Sequence, residues 1–102
     1  IERNAKIELP KEVFNLIKNG EILKVSYKGD ESLKPIISEA VKNFNVDISI
    51  IHGKIDYIGG KPLGTLIINV LGEKDEIKKA KKFIKENAFY TERVINQYLE
   101  VV

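Results

Sequence analysis

Apolar residues fall into two alternating periodicities along this chain, and the periodicities take turns. Leu23, Val25 and Tyr27 alternate with Lys24, Ser26 and Lys28, the period-two signature of a strand with one buried face. Leu33, Ile36, Ile37, Ala40, Val41 and Phe44 then recur at helical spacing and predict a helix with a single apolar stripe. Gly29-Asp30-Glu31-Ser32 separates the two. Asp30 or Ser32 is expected to cap the helix, and Pro35 to sit in its first turn, where a missing N–H is tolerated. Asn43 and Asn45 bracket its exit.

Val46, Ile48 and Ile50 resume the alternation, but Ile55 and Tyr57 continue it on odd numbers. One extra residue around His52-Gly53 accounts for the parity change and predicts a β-bulge. Gly59 to Gly64 reads as a turn. Beyond it, Leu66, Ile68 and Val70 form one face of a strand, and Leu63, Thr65, Ile67, Asn69 and Leu71 the other. Ile77, Ala80, Phe83 and Ile84 mark a second helix opening at Gly72 to Glu76, with acids at its start and lysines further along, as the helix dipole favours. Residues 88–94 read as a last strand, and 95–102 as either a further strand or a frayed end. Before all of this, Leu9-Pro10-Lys11-Glu12 resembles a helix start. Val13, Phe14, Leu16 and Ile17 give that helix a short stripe, ended by Asn19-Gly20.

The strand, glycine, acidic cluster, helix, strand sequence occurs twice, from Gly29 to Asn43 and from Gly72 to Asn87. Two such units make an α+β, ferredoxin-like βαββαβ fold: a four-stranded antiparallel sheet with two helices on one face, plus a short N-terminal helix. The expected organisation is a linker and helix over 1–21, a domain over 22–95 and a tail over 96–102. Both parities of the 46–71 hairpin are apolar, so the sheet face away from the helices needs a cover. A second copy of the chain is the simplest one.

Composition narrows the function. A chain of 102 residues supports one core. A net charge of +2 gives little electrostatic reason to bind nucleic acid or anionic lipid. The absence of cysteine removes disulfides and thiolate metal sites. No apolar run approaches a membrane span, and no secretory signal is visible. The chain starts at Ile1 rather than Met, which suggests a piece of a longer protein. His52, the only histidine, reads as a bulge residue rather than a base or metal ligand, and Asp56 and Tyr57 as strand residues. No serine sits in a nucleophile elbow. Gly59-Gly60-Lys61-Pro62-Leu63-Gly64 lacks the Gly-Lys-Ser/Thr of a phosphate loop. RNA-recognition domains of this topology stack bases on sheet aromatics, but residues 63–71 contain none. Catalytic, metal and nucleic-acid roles are therefore not expected.

Phe44-Asn45-Val46-Asp47-Ile48-Ser49-Ile50-Ile51, then Asp56-Tyr57-Ile58-Gly59-Gly60 and Leu63-Gly64-Thr65-Leu66, resemble the NIL domain. That domain lies at the C-terminus of the ATPase subunit of bacterial methionine-import ABC transporters. The resemblance covers about residues 22–95. It implies a fold related to amino-acid-binding ACT domains, and homodimers paired through their sheets. It also implies a regulatory role on the cytoplasmic side of the membrane, beside the parent ATPase domain and the membrane subunit. Intracellular L-methionine would favour an inactive arrangement of the ATPase domains, a feedback called transinhibition. ATP and Mg would bind the parent domain, and this segment would carry neither a cofactor of its own nor enzymatic activity. The family's Asn-Ile-Leu motif is here Ser49-Ile50-Ile51, and a hydroxyl has fewer donors and a shorter reach than an amide. Ile50, Ile51, Ile55, Leu66 and Ile68 are expected to line a slot for the thioether, with Phe44 and Tyr57 beside it. Ser49 and backbone groups at the bulge would meet the charged end. The alternative is a structural dimerisation module without a small ligand.

Overall fold

The computed structural model describes residues 11–29, 35–95 and 98–101. It contains α1 (Lys11–Leu16), β1 (Glu21–Lys28), α2 (Ile36–Asn43), β2 (Val46–Ile58), β3 (Lys61–Gly72), α3 (Lys74–Asn87), β4 (Tyr90–Ile95) and β5 (Tyr98–Val101). The strands form one antiparallel sheet in the order β2-β3-β1-β4-β5. The first four strands have the ferredoxin-like arrangement, as the doubled pattern predicts. β5 extends the sheet beside β4, so residues 98–101 are a further strand.

Alternation sorts the side chains to two faces. Leu23, Val25 and Tyr27 of β1 pair across from Ile68, Leu66 and Gly64 of β3. They form one core with Ile36 and Ala40 of α2 and Ile77, Ala80 and Ile84 of α3. Both helices therefore lie on this face. Phe44 and Phe83 join the helices at one end, their ring centroids 5.8 Å apart. At the same end the Asn45 N–H donates to Glu76. That bond, followed by the Lys79 ammonium, holds the Glu76 carboxyl below the usual carboxylate range. The clip is present at neutral pH and is lost as pH falls through that depressed value.

Several local expectations change. Pro35 occupies the N-cap position at φ −81°, ψ 54°, and among the described residues no side chain caps the helix, so α2 begins after Pro35, at Ile36, rather than before it. Asp30, Ser32 and Leu33 lie outside the described residues, as does the linker over 1–8. The predicted 59–64 turn shrinks to Gly59-Gly60, at φ 60° and 78°, with Ile58 paired to Lys61. Two consecutive positive φ values match the twist of a two-residue hairpin turn, and Lys61 onward is strand. In α1, Phe14 packs inward while Leu16 is 80% exposed. One turn of helix cannot bury residues on opposite sides.

The face away from α2 and α3 is partly covered from within the chain. Ile67 and Val94 are buried there, with Phe14, Ile22 and Ile51 packed against them. On the helix side, β2 leaves Ile50, Ile55 and Tyr57 exposed beyond the reach of the helices, and Ile58 is exposed beside the turn.

Candidate ligand-binding site

β2 supplies the site's outer wall, and its bulge decides which residues face it. The β2–β3 register runs Ile48 to Val70, Ile50 to Ile68, and then His52 to Ile67. Ile51 is therefore the extra residue, one position before the predicted His52-Gly53. Before the bulge, even-numbered residues share the helix side. After it, Gly53, Ile55 and Tyr57 do, across from Leu66, Gly64 and Pro62.

This change of parity opens a cleft of about 500 Å³ between α2 and the hairpin. Ile50, Ile55 and Leu66 form its aliphatic walls, and Gly53 and Gly64 lie between them. Gly64 faces both Tyr27 and Ile55 across the sheet and brings no side chain into the space. At Gly53, an added Cβ would lie 2.8 Å from the Leu66 Cδ2. The remaining border is the first turn of α2, from Pro35 to Ser38. A mainly apolar concavity with a few polar groups is the usual character of a small-molecule site.

Tyr27 supplies one of those polar groups. Its residue is 5% exposed, it lines the cleft, and its buried hydroxyl has no hydrogen-bond partner among the described residues. Burial pushes its pKa up to about 12, so at neutral pH it is a hydroxyl able to donate. Below pH 10 the group is protonated whether the chain is folded or unfolded. As pH rises from 10 towards 12 the unfolded chain loses the proton first, and stability falls. The loss is on the order of 3 kcal/mol across that window, at about 1.4 kcal/mol per pH unit. Urea denaturation from pH 8 to 12 should show this alkaline loss in the wild-type chain, and the Tyr27→Phe variant should lack that part of the slope.

Three of the expected ligand residues, Ile50, Ile55 and Leu66, come together in the cleft. Ile68 is fully buried beneath it in the core. Phe44 packs at a tilt against Phe83 at the opposite end of α2. Tyr57, 74% exposed, lies further out on the hairpin. Ser49 and Ile51 are on the other sheet face, where Ser49 pairs across from Asn69 and Ile51 packs towards Ile67. Sequence reasoning missed Tyr27, Gly64 and the first turn of α2. The signal was available in part, since Tyr27 is the one core residue of its strand that carries a polar atom. His52 and Asp56 are exposed on β2, with Asp56 3.4 Å from the Lys54 ammonium. Among the described residues no group of three His, Asp or Glu is gathered as for a metal ion, and no helix is long and apolar enough to cross a membrane.

This architecture is shared with known proteins. The chain is 40% identical over 70 residues to methionine import ATP-binding protein MetN 2 of Shouchella clausii, which covers 69% of this chain and 20% of the relative. It is 37% identical over 68 residues to methionine import ATP-binding protein MetN 1 of Oceanobacillus iheyensis, covering 67% and 20%. The chain thus spans about one fifth of the length of these curated relatives. The crystal structure of the C-terminal domain of an ABC transporter ATP-binding protein from Enterococcus faecalis superposes with a TM-score of 0.66 at 32% identity. The match covers 82% of this chain and 93% of that one. With the NIL domain family model matching residues 21–93, the chain belongs to the NIL domain family.

Proposed function

We propose that this chain is the regulatory domain of a methionine-import ABC transporter ATPase, and that it senses L-methionine in the cleft between α2 and the hairpin. The single observation that carries the reading is the aliphatic cleft in a chain whose relatives are methionine import ATP-binding proteins. Ile50, Ile55 and Leu66 suit a thioether chain, which is unbranched, polarizable and tolerant of irregular apolar walls. In the full protein the domain works as a homodimer on the cytoplasmic side of the membrane, peripheral through its ATPase domain and the membrane subunit. Methionine inhibits transport by binding one arrangement of the dimer better than the other. A tenfold preference corresponds to about 1.4 kcal/mol. ATP and Mg belong to the ATPase domain, and this chain has no chemistry of its own to perform.

Thermal denaturation of the chain with each of the twenty amino acids tests the reading. Methionine at 100 times its dissociation constant should add about 2.7 kcal/mol of stability. If no amino acid raises the melting temperature, the sensing role fails. The exposed Ile50, Ile55, Tyr57 and Ile58 along the β2 edge favour a second reading, a dimerisation module without a ligand. Under that reading the melting temperature depends on chain concentration and on no amino acid.

A further inference from the structure

The first turn of α2 borders the cleft, and among the described residues no side chain caps it. The initial N–H groups of a helix have no partner within the helix, and the helix dipole adds positive potential there. Across the same cleft, the Tyr27 hydroxyl is buried without a partner among the described residues. An orphaned buried hydroxyl is costly unless something completes its hydrogen bonding. Among the described residues Lys54, 3.4 Å from Asp56, is the one charged side chain on the cleft border, and no Asp or Glu lines it. The polar character of the cleft is therefore that of donors and positive potential, set against aliphatic walls.

We propose that the cleft recognises the carboxylate end of its ligand, with the backbone N–H groups at the start of α2 and the Tyr27 hydroxyl donating to the carboxylate oxygens. The ligand side chain then lies along Ile50, Ile55 and Leu66. The ammonium group has no acidic partner in the cleft among the described residues and stays at the solvent-facing mouth. The ligand class is a small aliphatic carboxylate, and the amino group contributes little to affinity. This inference rests on the sensing role above and assigns the groups that do the recognition.

The test is calorimetric titration of the chain and its Tyr27→Phe variant with three probes: methionine, 4-(methylthio)butanoate, which lacks the amine, and methioninol, which lacks the carboxylate. The amine-free acid should bind within a few-fold of methionine, and methioninol should show no binding at the same concentrations. Tyr27→Phe should weaken methionine and the amine-free acid about tenfold, the effect of losing one hydrogen bond to a charged group. Its melting temperature without ligand should not fall below wild type at neutral pH, because the hydroxyl has no partner to lose among the described residues. In the wild-type chain the amide resonances of Ile36, Ile37 and Ser38 should shift on binding. Methioninol binding as well as methionine, or unchanged methionine affinity in Tyr27→Phe, would overturn the carboxylate site while leaving methionine sensing intact. If methionine fails to bind but leucine or norleucine binds in a Tyr27-dependent way, the carboxylate site stands and methionine specificity falls. If none of these carboxylates binds, both fall.

Discussion

Replacing Ile68 by Ala should cost about 4 kcal/mol, in the upper part of the range for truncating a buried Ile. Ile68 is fully buried and lies at the centre of β3, between Leu23 of β1 and Ile50 of β2. The walls cannot close over the void, because β3 is hydrogen-bonded on both sides and α2 and α3 pack above it. Domains of this size are stable by roughly 5–15 kcal/mol, so the variant should unfold at far lower urea concentration or remain partly unfolded in buffer. Leu66, two residues earlier, is only partly buried and faces the cleft, so Leu66→Ala should cost clearly less. Urea midpoints measured side by side check the ordering. Equal costs would mean that the cleft is closed in solution.

Gly20→Ala is the second large effect, and its origin lies in the backbone. Gly20 sits at φ 82°, and a Cβ there would lie 2.2 Å from the Val70 carbonyl oxygen and 2.9 Å from the Asn69 side chain. The positive φ alone costs roughly 1–2 kcal/mol for a residue with a Cβ. The overlap with a ladder carbonyl adds to that, because β3 cannot retreat without giving up its pairing with β1 at Glu21 and Val70. A total of about 3 kcal/mol or more is expected, read from the urea midpoint. Gly59→Ala is the control. It shares a positive φ of 60°, but among the described residues nothing lies within 4 Å of its added Cβ, so it should cost the conformational part alone. If the two variants are equally destabilised, the close approach to Val70 carries no energy.

The sheet was legible because each strand states its own period. Leu23, Val25 and Tyr27 face a helix layer whose residues recur at helical spacing, and nothing in those stretches competes with the pattern. The β5 strand was not legible, since a short edge strand has little burial to impose a pattern. The start of α2 was misplaced because Pro35 satisfies two rules, tolerance in a first turn and a position just outside it. The structure chooses the second. The candidate site was half legible. Ile50, Ile55 and Leu66 are apolar residues on two neighbouring strands, and the bulge makes their side chains converge. Ser49 looked equally suitable, but facing depends on one residue of register, which sequence alone does not determine. Tyr27 and Gly64 matter through their pairing across β1 and β3, a contact between segments far apart in the chain.

Ile51 works as a hinge in bookkeeping rather than in motion: it is where the chain changes its count. Upstream of it β2 contributes Val46 and Ile48 to the core, and downstream it is exposed. Removing that single residue, by an in-frame loss of one codon, would close the bulge and leave Gly53, Ile55 and Tyr57 facing α2 as before, because His52 already pairs with Ile67 and Gly53 with Leu66. The length of the stretch can therefore change at the bulge without changing which residues face the cleft. Homologous chains that differ by one residue there should be compared by facing rather than by aligned letter.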